Sequence, residues 1–159
     1  MLTIYFSRDF TPLMRAAFAN HAATASLLAK LGADIEARDS GGSTALSHAA
    51  YNQYTDTVVT LLKCGADVGA SDNIGFTALH RVAVAGNKDI ARMLVDAKAD
   101  IGRRDYAGRT PWMAALHSNK DAGLRTLLEP DPEKEEFLRK LQRERHAADI
   151  AKHMNMIYR

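Results

Sequence analysis

Apolar residues along the chain form two short runs in each of four successive units. The first run follows a threonine, in the segments TPLMRAAFAN, TALSHAAYNQ, TALHRVAVAG and TPWMAALHSN. The second run is rich in leucine and lies at Leu27 and Leu28, Leu61 and Leu62, residues 93–95, and Leu127 and Leu128. This alternation predicts a pair of short helices in each unit.

Threonine sets the register of these units. Four threonines stand in corresponding places, each 33 residues after the one before, at Thr11, Thr44, Thr77 and Thr110. An aspartate recurs five residues before the threonine and a glycine two residues before it, at Asp39, Asp72, Asp105, Gly42, Gly75 and Gly108. Such regularity does not arise by chance, and it indicates a tandem array of one structural unit.

The ends of the predicted helices carry the residues that helix ends require. A threonine side chain can accept a hydrogen bond from an unpaired backbone N–H at the helix start, and Pro12 and Pro111 suit the first helical position. Gly32 and Gly65 suit the left-handed position that follows a second helix. Lys98 stands there in the third unit, where we expect it to cost about 1 kcal/mol of local strain. The Asp-x-x-Gly sequences predict a hairpin tip between units.

Taken together, these features resemble the ankyrin repeat. The resemblance rests on the period, the TPLH-like helix starts, the Gly-Ala-Asp after a second helix and the Asp-x-x-Gly turn, and it runs from Thr11 to Leu128. It implies an all-α ankyrin-repeat solenoid of four 33-residue helix-turn-helix repeats with hairpin loops. The domain is expected to span residues 11–130, with repeats at about 11–38, 39–71, 72–104 and 105–129. His80 alone fills the family's histidine position, so the family's Thr–His side-chain bond is expected only once.

The two ends of the chain depart from the repeat. Residues 1–10 lack a full hairpin and are interpreted as an N-terminal extension or cap, whose apolar side chains cover the open end, at Leu2, Ile4, Tyr5 and Phe6. Residues 131–159 have apolar residues at three- and four-residue steps opposite a charged face, which predicts a C-terminal amphipathic capping helix. Two roles remain open for this helix: it caps the last repeat, or it docks on a partner or on a second copy of the chain.

Composition narrows the class of partner. Hydrophobic residues make up 47% of the 159 residues and charged residues 25%, as in a soluble globular protein. The formal net charge of +2 favours neither a nucleic acid nor a membrane surface as partner. The sequence begins without a secretory signal, and no stretch is apolar for long enough to span a bilayer. With Cys64 as the one cysteine, we expect a cytoplasmic protein, or a secreted effector that acts in a host cytosol.

No pattern in the sequence predicts catalysis, a cofactor or a metal site. The six histidines include no HExxH motif, and phosphate-binding glycine loops are absent. Cys64, in the last turn of a second helix, is interpreted as a half-buried structural thiol rather than a nucleophile. His48 is interpreted as a contact residue rather than a metal ligand. We therefore expect no enzymatic activity and no bound cofactor.

The resemblance places partner binding on the concave face made by hairpin tips and first helices. Tyr51, Phe76 and Tyr106 are expected to be anchors, and the arginines to steer acidic or phosphorylated groups of the partner. Two alternatives stay open: Phe76 packs over the neighbouring hairpin, and the arginines are solvated without a partner. The predicted partner-binding residues are Arg38, Ser40, Ser43, His48, Tyr51, Asn52, Asn73, Ile74, Phe76, Arg81, Arg104, Tyr106, Arg109 and His117.

Three functions are consistent with these patterns. The first is a non-enzymatic protein–protein interaction module, a scaffold or adaptor, that binds a partner protein or peptide. The second is a structural subunit or homodimer assembled through the C-terminal helix. A small-molecule or catalytic site is the third, and the sequence shows no convergent polar cluster to support it.

Overall fold

A computed structural model describes residues 9–118, 122–129 and 143 of the chain. These residues contain eight α-helices in four successive pairs and no strand apart from one isolated bridge between Ser71 and Thr77. The helices are α1 Pro12–Phe18, α2 Ala22–Lys30, α3 Ala45–Tyr51, α4 Thr55–Lys63, α5 Ala78–Ala85, α6 Lys88–Asp96, α7 Pro111–Ser118 and α8 Ala122–Leu128. The prediction of an all-α repeat solenoid is confirmed.

Threonine begins each first helix, as the sequence predicted. The Thr11 and Thr110 hydroxyl oxygens accept hydrogen bonds from the backbone N–H three residues on, at 3.2 and 3.3 Å. Thr44 and Thr77 make the same bond at 3.4 Å. These bonds satisfy one of the backbone donors that a helix start leaves without a partner, and each is worth about 1 kcal/mol.

The helices form two layers because first helices pack on first helices and second helices on second helices. Helix α3 packs between α1 and α5, and α5 packs against α7; in the other layer α2, α4, α6 and α8 follow in order. The first layer is lined by alanines that are almost fully buried, including Ala17, Ala49, Ala50 and Ala83. Such small side chains allow close approach of neighbouring helices, while buried leucines contribute about 1.5–3 kcal/mol each, at Leu13, Leu46, Leu61, Leu79 and Leu94.

Hairpins connect the helix pairs, and an aspartate side chain organises each tip. The Asp39 Oδ1 atom accepts bonds from the backbone N–H groups of Gly41 and Ser43, at 2.9 and 2.8 Å. The same atom of Asp72 accepts from Ile74 and Phe76, at 3.0 and 2.9 Å. One carboxylate oxygen therefore replaces the backbone acceptors that a tight turn lacks.

Neighbouring hairpins are joined by backbone hydrogen bonds. The Asn73 N–H donates to the Gly41 carbonyl at 2.9 Å, and the Tyr106 N–H donates to the Ile74 carbonyl at 3.1 Å. A methyl group on Gly75 would lie 2.8 Å from the Tyr106 nitrogen. The recurring glycine is therefore required for the close approach of the next hairpin as well as for its positive φ of 83°.

Backbone angles confirm the prediction for the ends of the second helices. Gly32 and Gly65 have φ of 87° and 89°, and Lys98 adopts φ of 72° at the corresponding position of the third repeat. A second set of positive angles, which the sequence analysis did not anticipate, lies between the two helices of a repeat. Asn20 and Gln53 have φ of 59° and 63° there.

Several predictions fall outside the described residues. These are the apolar cover formed by Leu2, Ile4, Tyr5 and Phe6, and the C-terminal helix over residues 131–159, so both remain predictions. The chain divides into two compact units, Met1–Glu129 and Pro130–Arg159, and the description above concerns the first. No helix in the described part of the chain has the length and apolar character needed to cross a membrane.

Candidate functional site

Large apolar side chains are exposed on the first helices and on the hairpin tips, a surface that we call the inner face. Tyr51 on α3 is 58% exposed and Val84 on α5 is 47% exposed. At the hairpin tips, Ile74 is 57% and Tyr106 is 78% exposed. Phe18 on α1, 38% exposed, belongs to the same surface; the sequence analysis missed it because outward positions were assigned only from the second repeat onward.

Phe76 packs against neighbouring side chains, as in the alternative that it packs over the neighbouring hairpin. Its ring is half-buried and stacks on the His80 ring, with centroids 5.3 Å apart and an angle of 22° between planes. The Arg109 guanidinium carbon lies 5.3 Å from the centroid of the Phe76 ring. Phe76 thus joins the third repeat to the hairpin of the fourth, and its role as an exposed anchor is corrected to an internal contact.

Ser43 also departs from expectation. The prediction that it points outward is wrong, because Ser43 is buried beneath Arg81 of the following repeat. The Arg81 Nη2 atom donates to the Ser43 hydroxyl at 3.1 Å, and the same guanidinium lies over the Tyr51 ring at 5.6 Å from its centroid. Arg81 therefore connects two repeats along the inner face.

Each hairpin aspartate uses its second carboxylate oxygen to bind a cationic or imidazole side chain. In the second repeat, the Asp39 oxygen lies 2.9 Å from His48 Nε2. In the third, the Asp72 oxygen lies 2.5 Å from Arg81 Nη2. The fourth repeat has Ala114 in the corresponding place, and there Asp105 binds Arg109 Nε of its own hairpin at 2.7 Å.

These pairs change the electrostatic character expected of the inner face. The positive charges of Arg81 and Arg109 are balanced locally by buried aspartates, so they attract an acidic partner less than isolated arginines would. The exposed Arg38 and Arg104 instead donate to hairpin carbonyls: Arg38 to Gly42 at 3.0 Å and also to Ser71, and Arg104 to Gly108 at 2.8 Å.

Burial affects the protonation of His48 and His80. It lowers the pKa of His48 below 6.5, against the hydrogen bond and charge of Asp39, which raise it. It likewise lowers the pKa of fully buried His80, whose Nε2 lies 3.0 Å from the Arg109 carbonyl. Both rings are therefore neutral at neutral pH, and His48 also contacts Phe10 with centroids 4.7 Å apart.

His80 makes the side-chain bond that the sequence predicted only for this repeat. The His80 Nδ1 atom lies 2.9 Å from the Thr77 hydroxyl oxygen, and it accepts a bond from the Thr77 backbone N–H at 3.3 Å. Buried His80 therefore bonds through both ring nitrogens, and this arrangement serves the structure of the helix start.

The pKa of the buried Asp105 carboxyl is displaced. Burial would raise the pKa of this carboxyl, but bonds from the Arg109 backbone N–H and guanidinium outweigh burial and lower it below 3.8. The Asp105–Arg109 pair is consequently charged throughout the neutral range.

The remaining predicted contact residues are polar and lie beside the exposed apolar side chains. Asn73 and Ser40 are exposed on adjacent hairpins, where Asn73 Nδ2 donates to the Ser40 carbonyl at 2.9 Å. Half-buried Asn52 donates to the His48 carbonyl at 2.9 Å. The side chain of His117 lies outside the described residues.

A groove of about 610 Å³ lies against the first repeat. Helices α1 and α2 supply its lining residues, namely Pro12, Arg15, Ala16, Phe18, Ala19, His21, Thr24 and Leu28. Leu28 is half-buried, whereas Leu61 and Leu94 at the same register position are completely buried. Later repeats bury the corresponding surface against the repeat before them. The groove is therefore the stacking surface of the first repeat.

The described part of the chain contains residues of metal-binding types. No group of three or more His, Cys, Asp or Glu side chains suited to a metal ion occurs there. Cys64 is a half-buried free thiol that ends α4, as predicted for its burial, and its structural role stays a prediction. The exposed chemistry of the inner face consists of aromatic and aliphatic side chains, amides and hairpin-tip arginines.

The stacked helix pairs and the hydrogen-bonded hairpins define a tandem helical-repeat protein. Consistent with this, the sequence model of the family described as ankyrin repeats (3 copies) matches residues 4–72 and 60–137. The chain belongs to the ankyrin-repeat family. Ankyrin repeats are generally protein–protein interaction modules, and the family is typically non-enzymatic. A search of curated proteins finds no match to this chain.

Proposed function

We propose that this protein is a non-enzymatic adaptor that binds a partner protein or peptide on its inner face. The observation that carries the proposal is the exposure of Tyr51, Ile74 and Tyr106 on one side of a stack whose neighbouring hairpins are hydrogen-bonded to each other. Each of these side chains is more than half exposed, and large exposed aromatic side chains are typical of the residues that dominate binding energy at interfaces.

Rigidity of the inner face supports the same function. The Arg81 and Arg109 guanidinium groups each bind a buried aspartate and lie over an aromatic ring of the preceding repeat. Such bonds fix side chains that would otherwise lose rotational freedom on binding, at a cost of roughly 0.5–1.5 kcal/mol each. A preformed surface therefore retains more of its contact energy as affinity.

Acidic or phosphorylated groups are the proposed polar part of the partner. The charge at the hairpin tips comes from Arg38 and Arg104, which are exposed there and donate to the Gly42 and Gly108 carbonyls. Their contribution should be mainly to association rate, and it should weaken as salt concentration rises.

Affinity capture from a cell lysate, quantified by mass spectrometry, tests the proposal. The intact chain is compared with a Tyr51→Ala/Tyr106→Ala variant, and with Leu31→Ala as a matched control. Leu31 is a large exposed apolar residue at the end of α2, away from the inner face. We expect the double variant to lose specific partners that the control retains, while both variants unfold at the same temperature as the intact chain.

The alternative, assembly through the C-terminal helix, is separated by a chain that ends at residue 130. If the Tyr51→Ala/Tyr106→Ala variant keeps the partners of the intact chain, whereas the shortened chain loses them and still unfolds cooperatively, the inner face is not the binding surface. Sedimentation of the intact and shortened chains then reports whether residues 131–159 mediate self-association.

A further inference from the structure

The hairpin of the fourth repeat has an open edge, whereas the same edge of the two preceding hairpins is filled. The Gly41 carbonyl accepts the Asn73 N–H at 2.9 Å. The Ile74 carbonyl accepts the Tyr106 N–H at 3.1 Å. Ala107 stands in the same register, and within the described residues no hydrogen bond reaches its carbonyl. The backbone acceptor that joins one hairpin to the next is therefore present at this edge without a donor from the described residues.

The glycine beside this edge shows the same difference. Gly42 and Gly75 are buried, and a β-carbon on them would lie 2.9 and 2.8 Å from a backbone nitrogen of the next hairpin. Gly108 is exposed, and nothing lies within 4 Å of the place of its β-carbon. Its positive φ is sufficient reason for a glycine in the free chain. The open side of Gly108 nevertheless has the form of a space that a turn fills twice elsewhere in this protein.

An arginine flanks both a filled edge and the open one. Arg38 donates to the Gly42 carbonyl of its own hairpin at 3.0 Å and also to the Ser71 carbonyl of the next repeat. Arg104 has the same register and donates to the Gly108 carbonyl of its own hairpin at 2.8 Å. The residue type that bridges to the next hairpin in the second repeat therefore stands at the open edge as well.

The sequence that follows the fourth hairpin does not encode another hairpin of this kind. Positions 33 residues after Asp105 and Gly108 hold Leu138 and Leu141. Leucine has no side-chain oxygen to accept the N–H groups of a tight turn, and its β-carbon disfavours a left-handed backbone. The residues that fill the edges of the second and third hairpins are thus not repeated for the fourth.

A second copy of the chain is a poor source of the occupant. The N–H groups that fill a hairpin edge belong to Asn73 and Tyr106, and both already bond within the chain. Ser40, which has the same register in the second hairpin, is not free either. The matching donor therefore has to come from a different protein.

Asn73 shows what a turn presents to such an edge. It follows Asp72 in the third hairpin and forms two bonds to the second hairpin: its N–H donates to one carbonyl, and its Nδ2 atom donates to the Ser40 carbonyl at 2.9 Å. In the fourth hairpin, the acceptors in the same register are the carbonyls of Ala107 and Tyr106. An Asp-Asn turn therefore matches the open edge with one backbone donor and one side-chain donor.

We infer that the open edge of the fourth hairpin is a second interaction surface, which receives a tight Asp-Asn-x-Gly turn of a different protein. The asparagine of this turn donates its backbone N–H to the Ala107 carbonyl and its side-chain amide to the Tyr106 carbonyl, and it lies over Gly108. Binding through the backbone of an exposed edge is an established mode of peptide recognition. The inference goes beyond the proposed function, which concerns outward-pointing side chains of the inner face.

A cyclic peptide with the sequence of residues 70–78 tests the inference on the intact protein, because it contains the turn that fills the edge of the second hairpin. Binding is followed by NMR of the isotopically labelled protein, in which the Ala107 carbonyl carbon and the Gly108 amide report on the edge. We expect saturable shifts confined to residues 104–109, with a Kd of roughly 1 mM, since the turn supplies only two direct hydrogen bonds.

The control peptide has proline in place of the asparagine. Proline suits the second position of a tight turn, so the turn is kept, but proline has no N–H and no side-chain amide to donate. We expect the control peptide to cause no saturable shift over the same range of concentration.

Gly108→Ala closes the edge on the side of the protein. Its β-carbon would occupy the place of the incoming backbone nitrogen, by analogy with the 2.9 Å distance at Gly42. Gly32→Ala is the matched control, because Gly32 also has a positive φ and open space around the place of a β-carbon but lies at the end of α2. We expect the two variants to lose similar stability and only Gly108→Ala to lose the peptide.

Three results would overturn the inference. Shifts of equal size with the proline peptide, or shifts that persist in Gly108→Ala, would mean that the peptide binds elsewhere. The absence of any shift at several times the expected Kd would mean that the edge does not accept a turn. None of these results bears on the proposed function, which fails only if the Tyr51→Ala/Tyr106→Ala variant captures the same partners as the intact chain.

Discussion

Lys98 has a left-handed backbone where two other repeats have glycine. Its φ of 72° is close to the 87° and 89° of Gly32 and Gly65, so the fold has kept the backbone and accepted a side chain on it. A β-carbon in this conformation crowds the neighbouring carbonyl, at a cost of roughly 1–2 kcal/mol. Gly32 and Gly65 have open space around the place of a β-carbon, which indicates that the strain at this position is in the backbone and not in packing.

Replacing Lys98 with glycine should therefore stabilise the protein. We expect Lys98→Gly to raise the free energy of unfolding by about 1 kcal/mol, measured by urea denaturation. Lys98→Ala is the matched control, because it removes the long side chain but keeps the β-carbon. Equal stabilisation by both substitutions would show that the lysine side chain, and not the backbone angle, is responsible.

In the hairpins, glycine serves two purposes: it adopts a positive φ, and it leaves room for the next hairpin. Gly42, Gly75 and Gly108 all have positive φ, between 77° and 83°. A β-carbon on Gly42 would lie 2.9 Å from the Asn73 nitrogen, and one on Gly75 would lie 3.0 Å from the Asp105 Cα. Nothing lies within 4 Å of the corresponding place on Gly108. The first two glycines admit the next hairpin, whereas the third is needed only for its backbone angle.

Alanine substitutions at Gly75 and Gly108 should separate these two requirements. We expect Gly108→Ala to lower the free energy of unfolding by roughly 1–2 kcal/mol through the backbone angle alone. Gly75→Ala should cost a further 1–3 kcal/mol or so, because the Tyr106 backbone must move and its bond to Ile74 lengthens. Thermal unfolding of the two variants measures the difference, and equal losses would mean that the hairpins separate without penalty.

Stability of the whole molecule should depend on two histidines in different repeats. Burial lowers the folded-state pKa of His48 and of His80, whereas an unfolded chain titrates near the ordinary value of 6.5. Below that pH the unfolded chain binds more protons than the folded chain, so the free energy of unfolding falls as the solution is acidified. The loss begins near pH 6.5 and continues down to the folded-state pKa values.

Chemical denaturation at about pH 7.5 and at about pH 5 measures this dependence. We expect the intact chain to be less stable at the lower pH, and a His48→Gln/His80→Gln variant to show a smaller difference between the two conditions. Asp105 does not contribute in this range, because its lowered pKa places its loss of stability below about pH 3.8. A variant with the full pH dependence of the intact chain would exclude the histidines as its source.

Interactions within a few residues were determined by the sequence alone. The threonine caps, the aspartate turns and the single Thr77–His80 bond join groups two to four residues apart, and the left-handed Lys98 depends on one backbone angle. The repeat period could be predicted for the same reason, because the residues that make these local interactions recur every 33 residues. Local geometry leaves few choices, so residue types at fixed spacing are sufficient to predict it.

Which side chains are exposed on the proposed binding surface was decided only by the tertiary structure. Ser43 is covered by Arg81, which lies 38 residues further along, and Phe76 is enclosed by Arg109 of the following repeat. His48 was predicted to be a partner-binding residue, but its side chain bonds to Asp39 and contacts Phe10. A register assigns each residue to a face of its own helix, but whether a side chain stays accessible depends on the long side chains of the next repeat. Those side chains reach their positions only once the repeats have stacked.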